Sequence, residues 1–463
     1  MPLASTRSLR DILRASPRLA ERRLWGATAE LALADVAVGT GLGGRLAELD
    51  GKSVLIRTQD PLAAALALIE LDGIAARLVI SPPDLAAETL PQVIMTAGVE
   101  AVVYDWTPPL ADGGADLRYD PIGLKIEPAP NLPARLRRTE WVMFTSGTTG
   151  APKLVAHSLA GLTGAIKPAP AGEAPPIWGS FYDIRRYGGL QILLRALLGE
   201  GSMVVAGAGE PMAELLARLG RHGVTHLTGT PSHWRWVLMS EEARLISPRY
   251  IRLSGEIADQ AVLDALRAAF PGVPIGHAYA STEAGVGFEV NDGLEGFPAE
   301  FVERRGGEVE LKVADGSLRL RSSRAASGYV GDGAALTDAD GFVDSGDMVE
   351  LRGGRYHFVG RRGGIINVGG LKVHPEEIEA VINRHPAVRM SLVRGRRNPI
   401  TGQIVVAEVV LEASDQAPDE VAIKREILDV CRRDLAPYKA PASVRFVESL
   451  SLTAGGKLER ASA

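Results

Sequence analysis

The chain has 463 residues, 46% hydrophobic and 23% charged, a balance that fits two or three soluble globular domains with substantial cores. Its formal charge of −5 leaves no basic excess to neutralise phosphates, which excludes nucleic acid as a main partner. A single cysteine, Cys431, excludes an internal disulfide and a cysteine-based zinc site and fits a reducing, cytoplasmic setting.

No apolar run reaches the ~18 residues of a membrane span, so no membrane association is expected. The first 25 residues are rich in Ser and Arg, but Asp11 and Glu21 break the acid-poor pattern of a transit peptide, and the stretch reads as an amphipathic helix. Gly39-Thr-Gly41-Leu-Gly-Gly44 matches a dinucleotide fingerprint. Only eight residues separate Gly44 from the next strand, too few for the crossover helix that fingerprint requires.

From Ser53 onward short apolar strands alternate with helical stretches: Ser53-Val-Leu-Ile, a helix over Pro61 to Leu71, Ala76 to Ile80, a helix over Ala86 to Ala97, then Ala101-Val-Val-Tyr. That rhythm predicts parallel βαβ units, and it returns between Ser202 and Ile275. Between Gly307 and Val359 the pattern changes to short strands punctuated by Gly and Asp, predicting an antiparallel sheet or small barrel. After Gly360 comes a compact α+β unit. The expected fold is α/β: a large N-terminal domain over residues 1–360, with layered βαβ sheets and a barrel-like part, and a small mobile C-terminal domain over 361–463.

The densest chemical signal is Phe144-Thr-Ser-Gly-Thr-Thr-Gly-Ala-Pro-Lys153. Glycines let backbone N–H groups turn toward a phosphate, hydroxyls add donors, and a lysine adds positive charge. It is not a Walker loop, because Ala151-Pro152 intervenes before the lysine and no Ser or Thr follows it. The segment resembles the phosphate loop of the adenylate-forming enzymes: acyl-CoA synthetases, adenylation domains of peptide synthetases, and luciferases. Leu154 stands where that family usually has glycine.

Further motifs in family order extend the resemblance. Tyr279-Ala-Ser-Thr-Glu283 resembles Tyr-Gly-x-Thr-Glu; Asp344-Ser-Gly-Asp347 resembles Thr-Gly-Asp; Gly360-Arg361 resembles the pair before the family hinge; and Leu452-Thr-Ala-Gly-Gly-Lys457 resembles the catalytic-lysine loop. The resemblance implies that Thr145, Ser146, Gly147, Thr148, Thr149, Gly150 and Lys153 hold the ATP phosphates. It implies that Tyr279 stacks on adenine, Asp347 accepts the ribose hydroxyls, and Arg361 reaches ribose and phosphate, with Gly255 and Ser281 also lining the nucleotide site. Thr282 donates to the α-phosphate, Glu283 holds Mg²⁺, and Lys457 bridges carboxylate and α-phosphate. Gly363 takes the hinge position, and Val368, Gly369 and Gly370 line the thiol tunnel.

The implied reaction is carboxylate attack on ATP, pyrophosphate release, and acyl transfer to coenzyme A. No carrier domain follows the C-terminal unit, so a carrier-protein phosphopantetheine on another chain is the alternative acceptor. By position, the acid pocket draws on Tyr182, Arg186, Tyr187, Gly188, His233, Trp234, Gly255, Ala280 and Gly285. Arg186 is a candidate partner for a second carboxylate or a polar ring substituent. Tyr182-Asp183 imitates the Phe-Asp pair that binds an amino-acid ammonium, but lies about three residues too early.

Overall fold

In the computed structural model, residues 7–106, 117–129, 137–145, 153–167, 174–331, 334–398, 401–412, 419–453 and 457–459 are described. Two large sheets are built from the predicted strands. One has seven strands in the order Gly328–Tyr329, Lys153–Ser158, Glu140–Thr145, Arg77–Ile80, Ser53–Ile56, Ala101–Tyr104, Arg118–Pro121. Its strands from Glu140–Thr145 to Arg118–Pro121 are parallel, as the βαβ rhythm predicts. The other has eight, ordered Gly285–Val290, Ile275–Ser281, Tyr250–Ser254, His226–Gly229, Ile177–Ser180, Ser202–Val204, Arg23–Trp25, Glu30–Ala32.

Helices Pro61–Leu71 and Tyr187–Leu198 lie between the two sheets, and one core joins them to Val54 and Ile56 of one sheet and Trp178 and Met203 of the other. Pro61–Leu71 is apolar nearly all round because both sides are covered: all eleven residues are buried. Asp60 caps it by accepting from the Leu62 N–H, and Pro61 occupies the first turn, where a missing N–H costs nothing. Amphipathic helices Met212–Arg221, Pro231–Met239 and Gln260–Ala269 cover the outer face of the eight-stranded sheet. The Gly307 to Val359 region supplies four strands of a five-stranded antiparallel sheet, and Phe297–Pro298 adds the fifth at its edge. A separate core between Ile366 and Phe446 holds the C-terminal unit, where Cys431 is buried among apolar side chains.

The N-terminal stretch departs from expectation. Its helix runs only from Leu9 to Arg14, and Arg23–Trp25 joins the eight-stranded sheet. Arginines that read as a polar helix face are buried struts. Arg10 donates to Gly39 O, and Arg22 donates to Ala196 O, Leu197 O and Gly201 O, satisfying carbonyls at the end of the Tyr187–Leu198 helix. The Gly39–Gly44 loop likewise spends its donors internally: buried Glu70 accepts from the Gly41 N–H at 2.6 Å and from the Thr40 hydroxyl.

Among the described residues no helix is long and apolar enough to cross a membrane.

Candidate active site

Thr145 ends one strand and Lys153 begins the next, and the two are directly opposed in antiparallel register. The residues between them, including Ser146, Gly147, Thr148, Thr149 and Gly150, lie outside the described residues. The Lys153 ammonium sits 4.9 Å from the Tyr329 ring centroid. Leu154, where the family pattern has glycine, is 4% exposed and packs with Leu55, Val79 and Val142. The departure from pattern is therefore a core contact behind the loop.

On the facing side the Tyr279 hydroxyl donates to Asp347 Oδ2 at 2.6 Å, and Arg361 Nε donates to Oδ1 at 2.9 Å. Asp347 and Arg361 are register partners on adjacent strands, which fixes the pair without long side-chain reach. The Tyr279 ring lies nearly parallel to Phe288 and Phe358, with centroids 5.5 and 5.2 Å away. Tyr279 thus packs beside the aromatic cluster of the small sheet, stays partly exposed, and orients Asp347 through its hydroxyl. Each Asp347 oxygen keeps a lone pair for a diol. Burial works to lower the Arg361 pKa, but Asp347, Tyr279 and Glu283 outweigh it and raise the pKa.

Thr282, Glu283 and Ala284 form the turn between Ser281 and Gly285, which are themselves paired. Ser281 Oγ accepts from the Ala284 N–H at 3.0 Å and so shapes the turn. Gly285 belongs to the turn as well: its φ is +76°, and a Cβ there would meet Arg324 O at 2.3 Å. Its role is backbone geometry, a correction to its reading as a pocket residue.

The C-terminal lysine loop is docked on this site. The Thr453 N–H donates to Lys457 O at 2.7 Å, and Leu452 and Leu458 pair across the loop. Glu256 ties it down: Oε1 accepts from the Leu458 N–H at 3.0 Å while Oε2 accepts from the Ser232 N–H at 2.9 Å. The Lys457 side chain then passes over Gly255, where an added Cβ would lie 3.6 Å from Lys457 Cε. Desolvation lowers the Lys457 pKa; Glu256 and Asp347 oppose that shift, whereas Arg361 and Arg186 reinforce it.

Several pocket expectations are redirected. Trp234 is fully buried in the outer core against Phe181 and Phe270, so it is no pocket wall. His233 closes a capping box with Thr230, and burial lowers its pKa to about 4. The Tyr182 hydroxyl donates to Ser254 O at 2.8 Å, and its ring packs on His233. Asp183 is paired with buried Arg185, which also donates to Thr58 O and Gln59 O, so it is no ammonium ligand. Arg186 pairs with Asp84 and is felt by Lys457, which puts its charge on the phosphate side.

Tyr187 and Ala280 pack in or against the core between helix and sheet, and a Cβ on Gly188 would lie 3.6 Å from the Tyr182 ring. Sequence reasoning placed Arg252 and Glu256 within a pocket-lining stretch, Arg252 to Ile257, but did not single out His157, Gln191 or Arg195. A signal for two of them existed, since Tyr187, Gln191 and Arg195 recur every four residues on one helix face.

Gly360 has φ +140°, and a Cβ there would meet Glu376 Oε2 at 2.4 Å. Arg362 pairs with Asp344, and Gly363 sits in a single helical turn, Arg362–Gly364, leading into the C-terminal unit. Val368-Gly369-Gly370-Leu371 is a two-residue hairpin with φ +59° and +88° at the glycines, as a primed turn demands. Beside it lies a cavity of about 520 Å³ lined by Asn367, Gly370, Arg397, Asn398, Thr401, Gly402 and Gln403.

A family model described as AMP-binding enzyme matches residues 54–329, and one for the AMP-binding enzyme C-terminal domain matches 377–457. The human mitochondrial acyl-coenzyme A synthetase ACSM5 is 26% identical over 344 residues, 69% of this chain and 59% of that protein. The chain thus spans about 59% of the length of that relative. Among solved structures, a benzoate CoA ligase from Burkholderia xenovorans LB400 superposes with a TM-score of 0.80 at 20% identity, covering 98% of this chain and 99% of that one. The amide bond synthetase McbA from Marinactinospora thermotolerans gives 0.75 at 22% identity, with 97% and 98% covered.

Proposed function

The chain belongs to the AMP-binding enzyme family, and from that premise we propose that it is an ATP-dependent acid–thiol ligase. A carboxylate is a poor electrophile because attack on it would have to expel oxide. Its oxygen therefore attacks the α-phosphorus of ATP, the bond to the β-phosphate oxygen breaks, and pyrophosphate leaves. A thiol sulfur then attacks the acyl-adenylate carbonyl, its proton is lost, and AMP departs.

The observation that carries this reading is the seat of Lys457 over Gly255, beside Asp347, Arg361 and Arg186. Positive charge is thereby gathered where the attacked phosphate would become more anionic. Lys153 and the 145–150 loop are assigned to the departing pyrophosphate, Asp347 to the ribose, and Thr282 to the α-phosphate. The Glu283 carboxylate makes no hydrogen bond or ion pair among the described residues, which suits a hard oxygen ligand for Mg²⁺. When bound, that ion neutralises phosphate charge. Residues 1–360 and 361–463 are assigned to the large and small domains, with Gly363 as pivot.

Coenzyme A is the proposed acceptor. The support is the polar cavity beside Gly370, whose Arg397 and amide side chains suit a phosphate-bearing thiol carrier. The test separates the half-reactions. Lys457→Ala is expected to slow pyrophosphate release on the order of 10²–10³-fold and to spare thioester formation from supplied acyl-adenylate. Unchanged pyrophosphate release would refute the assignment. A requirement for a carrier protein in place of coenzyme A would move the acceptor to the alternative.

A further inference from the structure

We propose that the acid activated at this site carries a second carboxylate, held by Arg195 and Arg252 at the far end of the space between the Tyr187–Leu198 helix and the eight-stranded sheet. The inference rests on the carboxylate-activating reading above and names its substrate class.

The register of the sheet builds the space. Arg252 and Ser254 point to the same face of their strand, opposite Gly276 and Ala278 on the next; Ala280 continues that row. This face meets the Tyr187 helix, since Trp178, Val286 and Ala280 pack in the same core as Leu190 and Leu194. Near Lys457 the row offers only small side chains, whereas its far end offers Arg252, Tyr250 and Glu289.

Polar atoms that find no hydrogen-bond partner among the described residues converge here. They are Nε of Arg195 and Oε1 of Gln191, with Nε of Arg252 held only by its 3.3 Å ion-pair contact to Glu289. Arg252 is 6% exposed, Tyr187 8%, Gln191 4% and His157 1%. The His157 ring lies 5.7 Å from that of Tyr187, and Tyr187 in turn feels the charges of Arg195, Arg252 and Arg324. A folded protein seldom leaves such buried polar atoms unmatched in one place unless a ligand completes them.

The charges are also out of balance. Glu289 is the carboxylate facing both arginines; it lies 3.3 Å from Arg252 Nε and accepts from the Tyr250 hydroxyl. Lys167 faces it too, and Arg324 is paired with Glu308. Arg195 has no ion pair among the described residues, and burial lowers its pKa to about 10, so it stays charged at neutral pH. Arg195 is half-buried, and Glu289, the carboxylate nearest it, is already engaged by Arg252 and Tyr250, so a substrate carboxylate would supply the missing counterion. Arg252 precedes Gly255 by three residues, a backbone span of roughly 10 Å at strand rise, which we take as the scale separating the two carboxylates. Short-chain and single-ring dicarboxylates fit within that span.

The experiment uses the full chain, a non-hydrolysable ATP analogue, and matched pairs: adipate and benzene-1,4-dicarboxylate, each against its monomethyl ester. Calorimetry reads acid binding, and pyrophosphate release is followed separately with ATP. The diacids are expected to bind at least roughly tenfold more tightly than their esters. Arg195→Met should remove that preference, and Arg195→Lys, which keeps the charge, should retain most of it. Equal binding of diacid and ester, or a preference that survives Arg195→Met, overturns the inference. Selective diacid binding without pyrophosphate release leaves the second-carboxylate site standing and refutes the ligase reading alone.

Discussion

The two ends of the candidate site are built on opposite principles. On the nucleotide side two carboxylates are engaged by the protein: Tyr279 and Arg361 hold Asp347, and Glu256 holds both the lysine loop and the Ser232 amide. On the proposed acid side Arg195 has no ion pair, and its Nε and Oε1 of Gln191 find no hydrogen-bond partner, among the described residues. The nucleotide side is preorganised for a ligand that never changes. The acid side is left incomplete, and the missing partner defines what it selects.

The largest expected effect tests where that acid side ends. Trp234 belongs to the outer core, so Trp234→Ala should lower stability by about 3–5 kcal/mol in denaturant unfolding while leaving the relative activity toward different acids unchanged. A changed acid preference at normal stability would return Trp234 to the pocket wall.

A smaller effect probes the paired side. Glu256→Gln keeps one acceptor oxygen and loses the other, so adenylation should fall about tenfold with thiol transfer from supplied acyl-adenylate unaffected. Equal losses in both half-reactions would reduce Glu256 to a structural contact.

The smallest effect is titration of His157, beside Tyr187. Burial lowers the His157 pKa from 6.5 to about 4, so above pH 6.5 the ring is neutral whether folded or unfolded. As pH falls from 6.5 toward 4 the unfolded chain takes up the proton first, and stability declines by up to ~1.4 kcal/mol per pH unit. His226 and His233, also lowered to about 4, add to the same window. Replacing His157 with Gln should flatten the decline measured as denaturant midpoint between pH 7 and 5. An unchanged slope would mean that His157 takes up its proton in the folded protein as it does in the unfolded chain.

The contrast also explains what the sequence made legible. The βαβ rhythm was readable from short apolar runs, and the Thr145–Lys153 segment, Asp347, Arg361 and the C-terminal lysine stood out because each sits in a short contiguous motif. Tyr279 was placed but its contacts were not, because Phe288 and Phe358 arrive from other strands. Arg186 drew attention by adjacency to a motif, although its charge is directed to Asp84. In sequence Arg195 merely interrupts the apolar run Ile192 to Leu198, and the sheet opposite is what marks it as a cation with no ion pair among the described residues. The N-terminal arginines misled for the same reason: Arg10 and Arg22 satisfy carbonyls far away in the chain, which no local pattern records.

The seat of Arg22 has a consequence for how this protein can vary. The matched AMP-binding region begins at residue 54, yet the last-turn carbonyls of the Tyr187–Leu198 helix are held by a guanidinium upstream of it. That helix carries Tyr187, Gln191 and Arg195. Changes in an early segment remote from any motif can therefore tilt the helix and retune which acids are admitted, leaving the ATP machinery untouched. Substrate range would then drift through the anchoring of a helix end, without any substitution among the residues that meet the substrate.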